Sequence, residues 1–272
     1  MNMISEKSNL IKEDFNIFLS NYKLRARWLR HNKNVRTTDP VLVFLHEALG
    51  CIEMWHEFPE QIATMTGCDA LIYDRLGHGK SSPLPSSSIN SDYLYTEAWE
   101  SLPAVLSHCG VKRSVFIGHS DGGTIALLFS SKYPESAAGI ITEAAHVFVD
   151  DLTVKGIKKA VNAYNTSNLK NKLSKYHSSN VEPMFLRWAN IWLSGGFADW
   201  NITGNLNKIN CPVLVVQGED DEYGTVNQMK AIAGNVGGYS EKLLIPDCGH
   251  IPHNQARNIL TKKLIEFISK HC

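Results

Sequence analysis

Short apolar runs recur along the chain, separated by longer stretches in which apolar residues return every third or fourth position. Val41 to Leu45 is apolar without interruption, as expected of a strand buried on both faces of a parallel sheet. Ala70 to Tyr73, Ser114 to Ile117, Gly139 to Ile141, Val213 to Val216 and Leu243 to Ile245 repeat the theme. Two earlier runs, Phe15 to Leu19 and Leu24 to Leu29, read as an opening pair of strands joined near Asn21. Helical spacing marks Glu57 to Met65, Tyr93 to Ser107, Thr124 to Lys132 and Ala256 to Ile268. This alternation predicts the α/β class, a mostly parallel central sheet with helices on both faces.

One segment departs from the alternation. Between Asp150 and Asn207 no buried strand can be read, and Lys155 to Tyr164, Leu169 to Tyr176 and Pro183 to Leu193 have helical spacing. A structureless connection of that length is uncommon. The segment 150–207 is therefore expected to be an inserted helical cap, with 1–149 and 208–272 forming the core domain. Such a cap would lie over the carboxyl ends of the strands, where open α/β sheets bind ligands.

Composition narrows the partners. Lys and Arg together number 27, as do Asp and Glu, and a balanced charge argues against a nucleic-acid partner. No run is long and apolar enough to span a bilayer. The opening MNMISEKSNLIKEDF lacks the continuous apolar stretch of a signal peptide, so a cytoplasmic location without membrane contact is expected. Cys51, Cys68, Cys109, Cys211, Cys248 and Cys272 are scattered, without C-x-x-C or zinc-ligand spacing, and read as free buried thiols with no metal role.

The chemistry concentrates in Gly118-His-Ser120-Asp-Gly122, directly after an apolar strand run and directly before a helical one. A serine on such a turn is lifted clear of the sheet, and glycines two positions either side remove side chains that would collide. An alkyl alcohol needs a base and a group to orient that base. An acidic cluster follows one later strand run, and of its members Asp221 is taken as the acid, ahead of Asp220 and Glu219. His250 follows the last strand run and is taken as the base, with His253 as competitor. Acyl transfer also requires donors for an oxyanion. These are expected from the backbone N–H of Asp121, after the nucleophile, and of Ala48, in the loop after Val41 to Leu45.

From about Val41 to its end the chain resembles the α/β-hydrolase superfamily, in its helical-capped esterase and lactonase branch. The resemblance rests on His46-Glu-Ala-Leu-Gly50, Tyr73-Asp-Arg-Leu-Gly-His-Gly-Lys-Ser81, Gly118-His-Ser-Asp-Gly-Gly123, Gly218-Glu-Asp-Asp221 and Cys248-Gly-His250. It implies that Asp74, Arg75, Gly77 and Gly79 form a structural turn. Many relatives have His-Gly where this chain has His46-Glu47. Glu47, a candidate substrate-binding residue, is expected to form a structural ion pair with Arg75 ahead of serving as a catalytic carboxylate, and the Asp121 side chain to bond only locally. His146, Trp188 and Trp192, with Phe197 and Trp200, are candidates for the pocket wall. Thiol reagents at Cys51 or Cys248, beside the site, are expected to inhibit.

These residues predict a serine hydrolase that cleaves a small, largely apolar ester or lactone through an acyl-enzyme on Ser120, without metal or organic cofactor. Two alternatives use the same residues: carbon–carbon cleavage of a diketone-like substrate, and a ligand-binding or signalling module with vestigial activity.

Overall fold

A computed structural model describes residues 10–19, 21–32, 40–85 and 91–272. Its centre is one eight-stranded sheet. The strands are β1 (Leu10–Leu19), β2 (Tyr22–His31), β3 (Val41–Leu45), β4 (Ala70–Tyr73), β5 (Ser114–His119), β6 (Ala137–Glu143), β7 (Val213–Gly218) and β8 (Ser240–Ile245). Their order is β1-β2-β4-β3-β5-β6-β7-β8. β1 pairs antiparallel with β2, and β2 antiparallel with β4, while β4 onward is parallel. Every residue of β5, β6 and β7 is buried, which is why these strands are apolar runs and not alternating ones. At the edge, β1 carries exposed Lys12, Glu13 and Asp14, charges that discourage pairing with another chain.

The helices in chain order are α1 (Phe58–Thr66), α2 (Tyr93–Thr96), α3 (Leu102–His108), α4 (Asp121–Lys132), α5 (Asp151–Thr166), α6 (Leu169–His177), α7 (Val181–Trp192), α8 (Thr203–Leu206), α9 (Val226–Asn235), α10 (Pro252–Gln255) and α11 (Arg257–His271). Phe58, Ile62, Leu260, Leu264 and Phe267 from α1 and α11 fill the layer on one face of the sheet. Leu102, Val105, Ile125, Leu128 and Ile232 from α3, α4 and α9 fill the other. α2 and α3 are joined without a break by a π-helical turn, Glu97–Ser101. Among the described residues no helix is long and apolar enough to cross a membrane.

Helices α5 to α8 all fall between β6 and β7. α5, α6 and α7 pack against one another, and Tyr164 of α5 stacks on Phe185 of α7 with ring centroids 3.9 Å apart. The return path is tied to the core by an antiparallel bridge between Phe148 and Asn201. The short α8 and α10 have no counterpart in the sequence reading, nor has the longer α9, where only Gln228, Met229 and Ile232 are buried. A stripe that narrow hardly stands out from a polar loop.

Candidate active site

β5 ends and α4 begins at Ser120, whose backbone sits at φ 50° and ψ −116°. This is an unfavourable region for a residue with a side chain, so the surroundings must impose it. A Cβ added to Gly118 would stand 2.3 Å from the Gly122 carbonyl oxygen, and one on Gly122 only 1.9 Å from the Leu45 oxygen. The turn is thus packed backbone to backbone. The Ser120 N–H also donates to Glu143 O at 2.8 Å. Asp121 opens α4, and first-turn amides have no partner within their own helix.

Beyond β7, Asp221 is buried and accepts from His250 Nδ1 at 2.8 and 3.0 Å through its two oxygens. The backbone N–H groups of Tyr223 (2.8 Å) and Gly224 (3.1 Å) and the Gln217 amide also donate to it. Burial alone would raise the Asp221 carboxyl, but the His250 ring and these donors outweigh it and hold it below the usual range. Burial likewise opposes charge on His250, and the Asp221 carboxylate overcomes it, raising the ring above an ordinary histidine. With Nδ1 given to Asp221, Nε2 is the nitrogen left for chemistry. Asp220 and Glu219 are exposed. His253 is engaged elsewhere, its Nδ1 lying 2.9 Å from Glu143 Oε2.

The loop after β3 has an unusual hydrogen-bond pattern. Arg75 Nη2 donates to Glu47 O at 2.8 Å, His78 Nε2 lies 3.0 Å from Ala48 O, and His177 Nε2 lies 2.9 Å from Leu49 O. Three successive carbonyls are thereby occupied. Of the amides, Leu49 N–H donates to the Glu47 carboxylate and Gly50 N–H to Glu47 O at 3.1 Å. Among the described residues no group accepts from the N–H of Ala48.

Ala48, Ser120, Asp121 and His250 line one cavity of ≈ 200 Å³. The inserted helices close it with Thr153 and Ile157 of α5, Leu169 and Leu173 of α6, and Trp188 and Trp192 of α7. His146 joins the wall, its Nε2 3.0 Å from Tyr223 O and its ring edge-on to Trp192. Burial lowers its basicity. Glu47 also faces the cavity, and burial raises its carboxyl. Among the described residues no cluster of His, Cys, Asp and Glu is arranged to hold a metal ion.

The alpha/beta hydrolase fold family matches over residues 40–158. The 2-hydroxy-6-oxo-6-phenylhexa-2,4-dienoate hydrolase of Rhodococcus sp. strain RHA1 superposes with a TM-score of 0.76 at 14% identity, covering 96% of this chain and 99% of that one. The chain has the α/β-hydrolase fold. In sequence the chain is similar to proline iminopeptidase of Lactobacillus helveticus, 24% identical over 87% of this chain and 92% of that protein. It is also similar to a bifunctional esterase/perhydrolase of Acinetobacter calcoaceticus, 27% identical over 57% of this chain and 65% of that protein.

Several expectations about individual side chains need correction. Arg75 does not pair with the Glu47 carboxylate; it takes the Glu47 carbonyl, and its ionic partner is Asp121, 3.6 Å away. Leu49 N–H occupies the Glu47 carboxylate instead. The Asp121 side chain is not locally bonded, since it accepts from Tyr93 O–H at 2.8 Å, and Tyr93 accepts from Trp192 Nε1–H at 2.8 Å. Glu47 needs no glycine in its place, because its φ is not positive. Phe197 and Trp200 stack on each other behind Trp192 and do not reach the cavity. Tyr223 and Ile251, beside Asp221 and His250 in sequence, were overlooked as wall residues although that adjacency could have found them. Leu169 and Leu173 carried no signal, because helical apolar spacing is the same whether the stripe faces a core or a cavity.

Proposed function

We propose that this hydrolase cleaves a carboxylic ester or lactone of a small, largely apolar substrate through an acyl-enzyme on Ser120, with His250 as base and Asp221 as the orienting acid. The observation that carries the reading is the two-oxygen contact of Asp221 with His250 at the wall of the cavity that Ser120 shares. His250 Nε2 takes the Ser120 proton as Oγ attacks the carbonyl carbon. The N–H groups of Asp121 and Ala48 receive the oxyanion, and collapse expels the alcohol with the proton from His250. Water activated by His250 then releases the acid. Residues 150–207 act as the cap on a core of 1–149 and 208–272, and the apolar side chains of α5, α6 and α7 select the acyl group.

A second reading, cleavage of an amide after an amino-terminal residue, is favoured by Glu47. Its carboxyl is the acidic side chain at the cavity wall besides Asp121, and it would accept from a substrate amino group; similarity to proline iminopeptidases agrees. A fluorophosphonate probe tests the nucleophile: wild type is expected to label and Ser120→Ala not to. Equal labelling of both refutes the assignment. Substrate class follows from p-nitrophenyl esters of graded acyl length, lactones, diketones and amino-acid p-nitroanilides. Turnover of short acyl esters is expected, and turnover of anilides alone would replace the ester reading with the second one.

A further inference from the structure

Arg75 is 1% exposed, and two of its donors, Nε and Nη1, find no acceptor among the described residues. A buried guanidinium with orphaned N–H groups destabilises a fold relative to an apolar side chain of similar size, so its contacts warrant a functional explanation. They are specific. Nη2 donates to Glu47 O at 2.8 Å and lies 3.6 Å from Asp121 Oδ2. The Arg75 backbone N–H donates to His46 Nε2 at 3.0 Å. Burial keeps that ring neutral, so its proton is on Nδ1 and is donated to the same Glu47 oxygen at 2.7 Å.

The peptide joining Glu47 to Ala48 is planar and trans, so its N–H points away from its C=O. Anchoring the oxygen on Arg75 and His46, with the Gly50 N–H as a longer third donor at 3.1 Å, directs the Ala48 N–H to the opposite side. If the peptide rotated, its carbonyl would face the space where negative charge develops and repel it. A cation at the carbonyl oxygen also polarises the peptide and strengthens its N–H as a donor. His78 and His177 hold the next two carbonyls, but Arg75 also reaches Asp121.

We infer that Arg75 is a positioning residue for the oxyanion site: it locks the Glu47–Ala48 peptide with its N–H toward the cavity and ties that loop to Asp121. The inference rests on the proposed roles of Ala48 and Asp121 as oxyanion donors. It assigns to the Asp-Arg-Leu-Gly-His segment a part in the chemistry beyond a structural turn.

Phosphonylation of Ser120 by a fluorophosphonate places negative oxygen in the same site and does not require the natural substrate. The maximal labelling rate, half-saturating concentration and final stoichiometry would be compared for wild type, Arg75→Met and Arg75→Met/Asp121→Asn. The single variant leaves the buried Asp121 with its Tyr93 hydrogen bond but without a counter-charge; the double variant removes both charges. In both, the maximal rate is expected to fall about 10- to 100-fold, with half-saturation within about twofold and one label per chain. A loss confined to stoichiometry, failure of both variants to fold, or a wild-type rate in the double variant overturns the inference, since Arg75 would then serve folding or charge balance alone. Wild-type labelling that persists in Ser120→Ala overturns the nucleophile reading instead, and this inference falls with it.

Discussion

Asp220 and Asp221 are neighbours in the chain with opposite surroundings. Asp220 is exposed, while Asp221 is buried and accepts from four groups, His250 among them. Asp221→Asn is expected to lower kcat by about 10⁴-fold, because the amide favours the wrong His250 tautomer, and Asp220→Asn to change it by less than about twofold. The pH profile adds a sign. In the proposed mechanism His250 is neutral when it accepts a proton, and Asp221 raises its pKa, so kcat/KM should fall on acidification through a midpoint above that of an ordinary histidine. Removing the carboxylate charge lowers that pKa, so the acid limb of Asp221→Asn should move to lower pH. An unmoved limb would show that Asp221 does not govern the titrating group.

The turn between β5 and α4 is held by close backbone approach, so it tolerates little. Gly122→Ala drives a Cβ into the Leu45 carbonyl, an atom of the central strand β3 that cannot swing aside. Destabilisation by about 3 kcal/mol or more is expected, read as a lower midpoint of urea unfolding at unchanged slope; a wild-type midpoint would mean that the strand gives way. The G-x-S-x-G spacing was legible for the same reason, since the contact needs glycine at fixed offsets. Other elements were legible only in outline. Tyr93 to Ser107 has the spacing of one helix, but its middle is a π turn whose first residue, Glu97, is buried near the Arg75 charge. No periodicity announces an inserted residue of that kind. In the inserted helices, Trp188 and Trp192 lie one turn apart on α7 and both reach the cavity, whereas Phe197 and Trp200 lie beyond the helix and pack behind them. All four looked alike as aromatic residues.

Across the molecule, burial also decides the thiols. Cys51 and Cys248 are each 1% exposed, and burial pushes them up to about 12 and about 11. Almost no thiolate exists at neutral pH, so, contrary to the sequence expectation, thiol reagents should not inhibit the folded protein. Iodoacetamide should leave activity intact in native protein and alkylate both residues in urea; rapid inactivation without denaturant would contradict this. Local patterning by itself determined the strands β3 to β8, the helical insertion between β6 and β7, and the candidates Ser120, Asp221 and His250. Strands buried on both faces, such as β5 to β7, must be apolar runs; β8 departs from that expectation, because it is the sheet's edge strand and leaves Leu244 37% exposed. Which groups meet was decided only in three dimensions. Sequence alone offered Glu47 as the acid for Arg75, whereas the packing of α4 against β3 put Asp121 within reach and turned the Glu47 carbonyl, not its carboxylate, to the guanidinium. Partner choice between residues tens of positions apart depends on distance and direction, which periodicity along a chain does not carry.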